Sequence, residues 1–360
     1  MLNIFILLSI FLSSVILSFL VINFVKSVFY KWNILDNPKK YGKKRDPIPY
    51  SMGIVLFISF FILSFLFIEP NSKLFIIWGF GLFITVVSFI DDIFKVSAKK
   101  RLIMQVLIGA VIGVTSIKIG YVSNIFGGIL NLETYFITLF EMKVFIIPVI
   151  FTILWYVFIF NALNWTDGIS GNTSGLSIIS FFILFLLGYV LFLRDDYEGG
   201  IQNSIFIMQM TTILVGILIP FWFYDFREKI LMGDSGTMFL GFMLATIAII
   251  SGGKIATVLV VFGIYVVDAI YVVIRRLLQG KSPLKGDLTH IHHRLLDLGL
   301  KRKEVLLLLY ILSFLFGLTA LFLDKFGKML VFIIIVFVVI FINRIVDSLY
   351  LKRKKGKKRI

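Results

Sequence analysis

Four short stretches of this chain gather the residue types that handle phosphate and divalent metal. They are Asp91-Asp92, Asn161-Ala-Leu-Asn164-Trp-Thr-Asp167-Gly168-Ile-Ser-Gly171, Gly233-Asp234-Ser235-Gly236 and His290-Ile-His292-His293-Arg294. The last holds all three histidines of the sequence. Carboxylate and amide oxygens, as at Asn164 and Asp167, are the hard ligands that magnesium takes. Gly168 and Gly171 allow positive φ or a close backbone approach. A carboxylate opening a helix, as Asp234 would, sits where N–H groups also favour a phosphate. Histidine and arginine crowded into the first turn of a short helix are unfavourable unless an anion joins them. Donor affinity should then weaken as pH rises and the imidazoles lose charge. The set suits metal-assisted phosphoryl transfer, which needs positioning and charge neutralisation more than covalent chemistry. The sequence has no cysteine, which excludes thiol catalysis, disulfides and Cys-based zinc sites.

Each stretch also has a plainer reading. Asp91 and Asp92 could end a helix in water, although acidic residues at a C-terminus oppose the helix dipole. Neighbours on a helix point about 100° apart, so the two carboxylates should do different jobs. Asp167 and Asp234 could be helix caps. Thr289 could cap an amphipathic helix running to about Leu298, with Gly299 as its stop. Asp268, inside an apolar run, reads as the partner of Arg275 or of a nearby cationic loop.

The elements that must hold these residues lie in a membrane. The chain of 360 residues is 59% hydrophobic, with 40 phenylalanines. A soluble domain is usually about 45–50% apolar. Leu2 to Val25 has no basic residue before it and no small-residue cleavage site, so it reads as a retained membrane helix. Eleven spans are expected, at 2–25, 50–68, 74–90, 102–117, 144–161, 173–193, 201–221, 236–250, 255–274, 305–323 and 329–349, since about 20 apolar residues cross a bilayer. The stretch 119–143 reads as an outer loop. The fold class is therefore an all-α integral membrane protein, one transferase-sized domain over 1–360. Its cytosolic loops fall near 26–50, 91–101, 161–172, 222–236 and 275–303, and a basic tail covers 350–360. Those loops and the tail carry 28 Lys and Arg against 7 in the opposite set. That asymmetry puts the N-terminus outside and the C-terminus in the cytosol. The net charge of +16 reflects these basic loops, not a nucleic-acid partner. All four chemical stretches then fall on the cytosolic face. A transporter or flippase would instead line a path through the bilayer with such groups.

In this order the stretches resemble the polyprenyl-phosphate N-acetylhexosamine-1-phosphate transferases. The match runs from Asp-Asp through Asn-Ala-x-Asn-x-x-Asp-Gly and Gly-Asp-Ser-Gly to His-x-His-His-Arg. Lys44-Arg45-Asp46-Pro47-Ile48-Pro49-Tyr50-Ser51-Met52-Gly53 resembles the family's first cytosolic loop, and Ser97-Ala98 and Gln105 also fit. The resemblance implies transfer of a sugar-1-phosphate, expected to be N-acetylhexosamine-1-phosphate, from a nucleotide-diphosphate sugar, expected to be UDP-linked, to a polyprenyl phosphate, with release of the nucleoside monophosphate. This is the first membrane step of cell-envelope glycan synthesis, of the lipopolysaccharide or teichoic acid kind. The muramoyl-pentapeptide reaction of peptidoglycan is the alternative. The same resemblance implies Mg2+, with Mn2+ as a substitute, on Asn164 and Asp234. It gives Asp91 or Asp92 the acceptor phosphate, and Asp167 the ordering of loop and donor. His290, His292, His293 and Arg294 would hold the diphosphate or sugar phosphate. Asn161, Gly168, Lys44 and Arg45 would contact substrate. It places the enzyme in the plasma membrane, active at the cytoplasmic face, and leaves a homodimer open. The chain departs from the family pattern at Ser170, which stands for a second Asp. It also departs at Met52, at Arg101, and at Tyr224-Asp225-Phe226-Arg227, where Asn-x-Pro-Ala is usual.

Overall fold

A computed structural model describes residues 4–41, 45–124, 127–139, 141–195, 197–252, 255–280 and 290–357. In lipid the backbone must satisfy its own hydrogen bonds, and long apolar runs do so as helices. The chain divides into two compact units, Met1–Lys254 and Ile255–Ile360. The first holds α1 (Ile4–Lys31), a 3-10 turn (Pro38–Tyr41), α2 (Ile54–Phe67), α3 (Ser72–Phe94), α4 (Ala98–Gly113), α5 (Ile146–Thr166), α6 (Asn172–Arg194), α7 (Glu198–Phe226) and α8 (Gly233–Ile250). The second holds α9 (Ile255–Val261), α10 (Gly263–Leu278), α11 (Ile291–Asp297), α12 (Arg302–Phe322) and α13 (Lys325–Lys357).

Each of the eleven expected spans meets a helix or a helix pair. Eight helices among the described residues are long and apolar enough to cross a membrane. They become nine if α9 and α10, bent by 79° at their junction, count as one broken span. The helices α2 and α4 are shorter, with 14 and 16 residues. The protein is a multi-pass, mainly helical membrane protein. The stretch 119–143 is more than a loop. Antiparallel pairs β1–β2 (Tyr121–Ser123, Ile129–Asn131) and β3–β4 (Phe136–Leu139, Met142–Phe145) form two small sheets there. Gly127 and Gly128, both at positive φ, lie between β1 and β2.

In the first unit α8 is buried along nearly its whole length and packs on α3 and α5. Small residues let its backbone approach the start of α2. A Cβ on Gly53 would stand 2.0 Å from the Gly236 nitrogen. On the other flank α1 packs on α7. The Ser18 hydroxyl donates to the Ile217 carbonyl at 2.7 Å, and Gly216 faces Ser14. Bare apolar contact drives little association in lipid, so close packing and such hydrogen bonds hold these helices together. Most other large side chains of α1 are exposed, as suits a lipid-facing helix. In the second unit α9 packs on α12 and α13, and α10 on α13.

Candidate functional site

The C-terminal ends of α3 and α5 meet the N-terminal ends of α4 and α8, and this brings three of the four stretches together. Asp91 and Asp92 diverge as neighbours on a helix must. Asp92 is 4% exposed and is occupied by four donors. They are the Tyr50 hydroxyl at 2.8 Å, the Ser51 hydroxyl, and the N–H groups of Asp234 and Ser235 at 2.9 and 3.1 Å. No side chain of α8 caps its own N-terminus. Asp92 does so from α3, where a negative charge also suits the helix dipole. Gly233 makes this approach feasible. Its φ is +73°, and a Cβ there would lie 2.5 Å from the Asp92 carboxylate.

Asp91 points elsewhere. It accepts from the Val96 N–H at 2.6 Å and lies 3.3 Å from the Arg101 guanidinium. Arg101 also donates to Asp234 Oδ2 at 2.6 Å. The other Asp234 oxygen accepts from the Asn164 amide at 2.8 Å, and that amide also reaches the Thr237 hydroxyl at 3.1 Å. Asp91 and Asp234 thus flank one cation, the Arg101 guanidinium, and Asn164 holds the far oxygen of Asp234. Asn161, one turn before Asn164, donates to Gln105 of α4 at 2.8 Å and to its own helix at Val157.

The loop between α5 and α6 corrects the cap reading. Asp167 sits at the C-terminal end of α5, and Gly171, at φ +92°, is the N-cap of α6. Gly168 is exposed and does not adopt positive φ. The carboxylate that serves the start of α6 is Asp225 of α7, which accepts from the Gly171 N–H at 3.0 Å and the Ser174 hydroxyl at 2.6 Å. Burial raises the Asp167 carboxyl well above the usual carboxylate range, and the charges of Asp225 and Asp234 add to this. Ser170 is buried beside these groups in the sequence.

Of the two basic residues expected to meet substrate, Lys44 lies outside the described residues. Arg45 makes a two-pronged pair with the buried Asp36, at 2.7 and 3.1 Å. Asp36 also accepts from the Ile48 N–H at 2.9 Å, so this pair shapes the first loop.

The histidines belong to the second unit. Thr289 lies outside the described residues, and α11 starts at Ile291 with His290 as its N-cap. Gly299 follows at φ +101°, the stop expected of it. His290 Nδ1 lies 2.9 Å from an Asp268 oxygen, and the Ile291 N–H reaches both oxygens at 3.1 Å. The His292 ring stacks on His290 at 6.0 Å and meets His293 at 4.3 Å. His292 is 1% exposed, and neither of its nitrogens has a hydrogen bond among the described residues. Burial holds its pKa well below the usual histidine range, and His293 and His290 lower it further. Its charge therefore cannot be what attracts an anion near neutral pH, contrary to the expectation for the whole window. Arg294 donates to the side chain and carbonyl of Asn343 on α13 and is buried there.

The profile of glycosyl transferase family 4 matches residues 74–252, the segment that carries the three clustered stretches. The chain belongs to glycosyl transferase family 4. Among the curated members that it resembles is the probable undecaprenyl-phosphate N-acetylglucosaminyl 1-phosphate transferase of Bacillus subtilis. The two are 26% identical over 96% of this chain and 93% of that one. The undecaprenyl-phosphate alpha-N-acetylglucosaminyl 1-phosphate transferase of Salmonella typhi is 29% identical over 84% and 79%. The decaprenyl-phosphate N-acetylglucosaminephosphotransferase of Mycolicibacterium smegmatis is 31% identical over 45% and 44%. Against this family background, Arg101 and Asp225 are members of the site that the motifs did not reveal. Both stand where the chain departs from the usual pattern, which was the one signal available.

Proposed function

We propose that this chain transfers N-acetylglucosamine-1-phosphate from a UDP-linked donor to a polyprenyl phosphate, at the cytoplasmic face of the plasma membrane. The observation that carries the reading is the Asp91–Arg101–Asp234–Asn164 constellation, in which two carboxylates share one cation and an amide donates to one of them. The names and coverage of the relatives support the donor and acceptor classes. The apolar runs support eleven spans, and the charge asymmetry of the loops supports an N-terminus outside and a C-terminus inside.

In this reading an acceptor phosphate oxygen attacks the phosphorus that bears the sugar. A new P–O bond forms, the bond between the two donor phosphates breaks, and uridine monophosphate leaves. Asp91 is the carboxylate suited to orient the acceptor phosphate and take its proton, because Asp92 is committed to α8. Arg101 can turn from the carboxylates to a phosphate oxygen. The donor set fits magnesium, which takes one or two carboxylates and completes its shell with substrate oxygens. Asp234 and the Asn164 amide would hold it, and it would supply charge neutralisation at the diphosphate. Asp167, which accepts from the Thr173 hydroxyl at 3.2 Å, would order the loop as a hydrogen-bonding group.

The test is a purified protein in detergent with polyprenyl phosphate and a panel of nucleotide sugars. Release of uridine monophosphate and formation of a lipid-linked N-acetylglucosamine, both dependent on Mg2+, are expected. Lipid product only from another sugar nucleotide would correct the donor. No product from any donor would overturn the reading.

A further inference from the structure

Asp268 was left without a role by the metal and phosphate chemistry above. It lies inside α10, is 1% exposed, and is too deep to be a solvated surface charge. Carboxylates at such depth are costly and persist where they are paired or functional. Its oxygens take two donors from the turn that opens the histidine window, the Nδ1 edge of His290 at 2.9 Å and the Ile291 N–H at 3.1 Å. A carboxylate oxygen only accepts, so Nδ1 must carry the hydrogen. The ring then cannot rotate about its side-chain bonds without breaking a buried hydrogen bond. It also cannot move its proton to Nε2 without leaving Nδ1 bare against a carboxylate.

We propose that Asp268 is a positioning residue that fixes the rotamer and the tautomer of His290, within the histidine window that the reaction proposed above assigns to the substrate phosphates. Nε2 accepts a proton or hydrogen bond when the ring is neutral, and donates when the ring is charged. The orienting effect needs only the geometry. The consequence for turnover rests on the transferase reading.

The experiment separates the two. The chain has three histidines, so 15N-histidine labelling of the full-length protein in detergent reports on three rings only. A His290→Gln sample assigns the ring in question. At pH 8 the wild-type His290 should show a protonated Nδ1. Asp268→Asn keeps the volume and, through its oxygen, the bond from Ile291. Its NH2 must then donate to the ring, so the proton should move to Nε2. In that variant the thermal midpoint should hold while kcat falls about 10- to 100-fold, the usual scale for losing a group that orients a working histidine. A wild-type ring protonated on Nε2 alone overturns the proposal. So does an Asp268→Asn protein that reverses the tautomer and turns over normally. If the variant fails to fold, the wild-type spectrum alone decides the pairing. The spectrum needs no turnover, so a chain inactive on sugar nucleotides would sink the proposed reaction and leave this assignment standing.

Discussion

Arg101 bridges Asp91 and Asp234, the second of which is proposed to hold magnesium, and this defines the chemistry expected of Asp234. Its carboxylate is shared by Arg101 and Asn164, while its backbone N–H is held by Asp92. Asp234→Asn keeps the N–H and the shape but loses the charge. The variant should fold and insert normally, and turnover should fall by about two orders of magnitude or more, since a metal-site carboxylate contributes several kcal/mol at about 1.36 kcal/mol per tenfold. A turnover assay that retains more than about a tenth of the wild-type rate would remove Asp234 from the metal site. His292 behaves differently. A buried ring whose charged form is penalised takes up a proton more readily once the chain unfolds. Its contribution to stability is then complete above about pH 6.5 and is lost as pH falls below that towards the folded-state value. The thermal midpoint should decline between pH 7 and pH 5.5. In His292→Gln that decline should be shallower, whatever the absolute stability. Equal slopes in the two proteins would mean that His292 is not the titrating group.

At the scale of elements, two helix starts of the first unit are served by a carboxylate from another helix. Asp92 serves α8 from α3, and Asp225 serves α6 from α7. This is why the motifs were legible and their partners were not. A cap signal is a local pattern, whereas Asp225 and Gly171 are 54 residues apart and Arg101 and Asp234 are 133 apart. The glycines of the motifs were visible as glycines, but only the fold says which are needed. Gly53 meets the backbone of Gly236, and Gly79 meets nothing within 4 Å. Gly53→Ala should therefore lower the thermal midpoint by several degrees and damage activity, because the α2–α8 approach must open and Asp92 lies beside it. Gly79→Ala should do neither, and should gain slightly from better helix propensity. A thermal scan of both variants checks this, and equal behaviour would mean that the close approach is dispensable. The strand pairs near 121–145 escaped because each strand has only three or four residues, too few for an alternating pattern to stand out. Gly127-Gly128 was the turn signal that marked the first pair.

Across the described residues, hydropathy located the apolar helices well and their ends less well. Charge-free runs stop at the first polar residue, while the helices continue, as α7 does to Phe226 and α3 through Asp91 and Asp92. The break between α9 and α10 was illegible because apolar residues continue across it. Only Gly263, pressed against Ile335, marks the junction. Orientation rests on the loops. A reporter enzyme fused after Ile360 should read as cytosolic, and one fused to the loop at Glu69–Asn71 as extracytoplasmic. The opposite result at either position would reverse the assigned face. The packing of α1 on α7 has a consequence for how the chain is made. Ser14 and Ser18 face small residues and a carbonyl on a helix that the ribosome has not yet produced, and the Ser18–Ile217 bond joins residues 199 apart. At about 5–20 residues per second, α1 waits on the order of 10 to 40 s in the bilayer before its partner exists. The helix thus exists well before its seat does, and through that interval its hydroxyls must make do with their own helix, as Ser14 does with the carbonyl of Ile10.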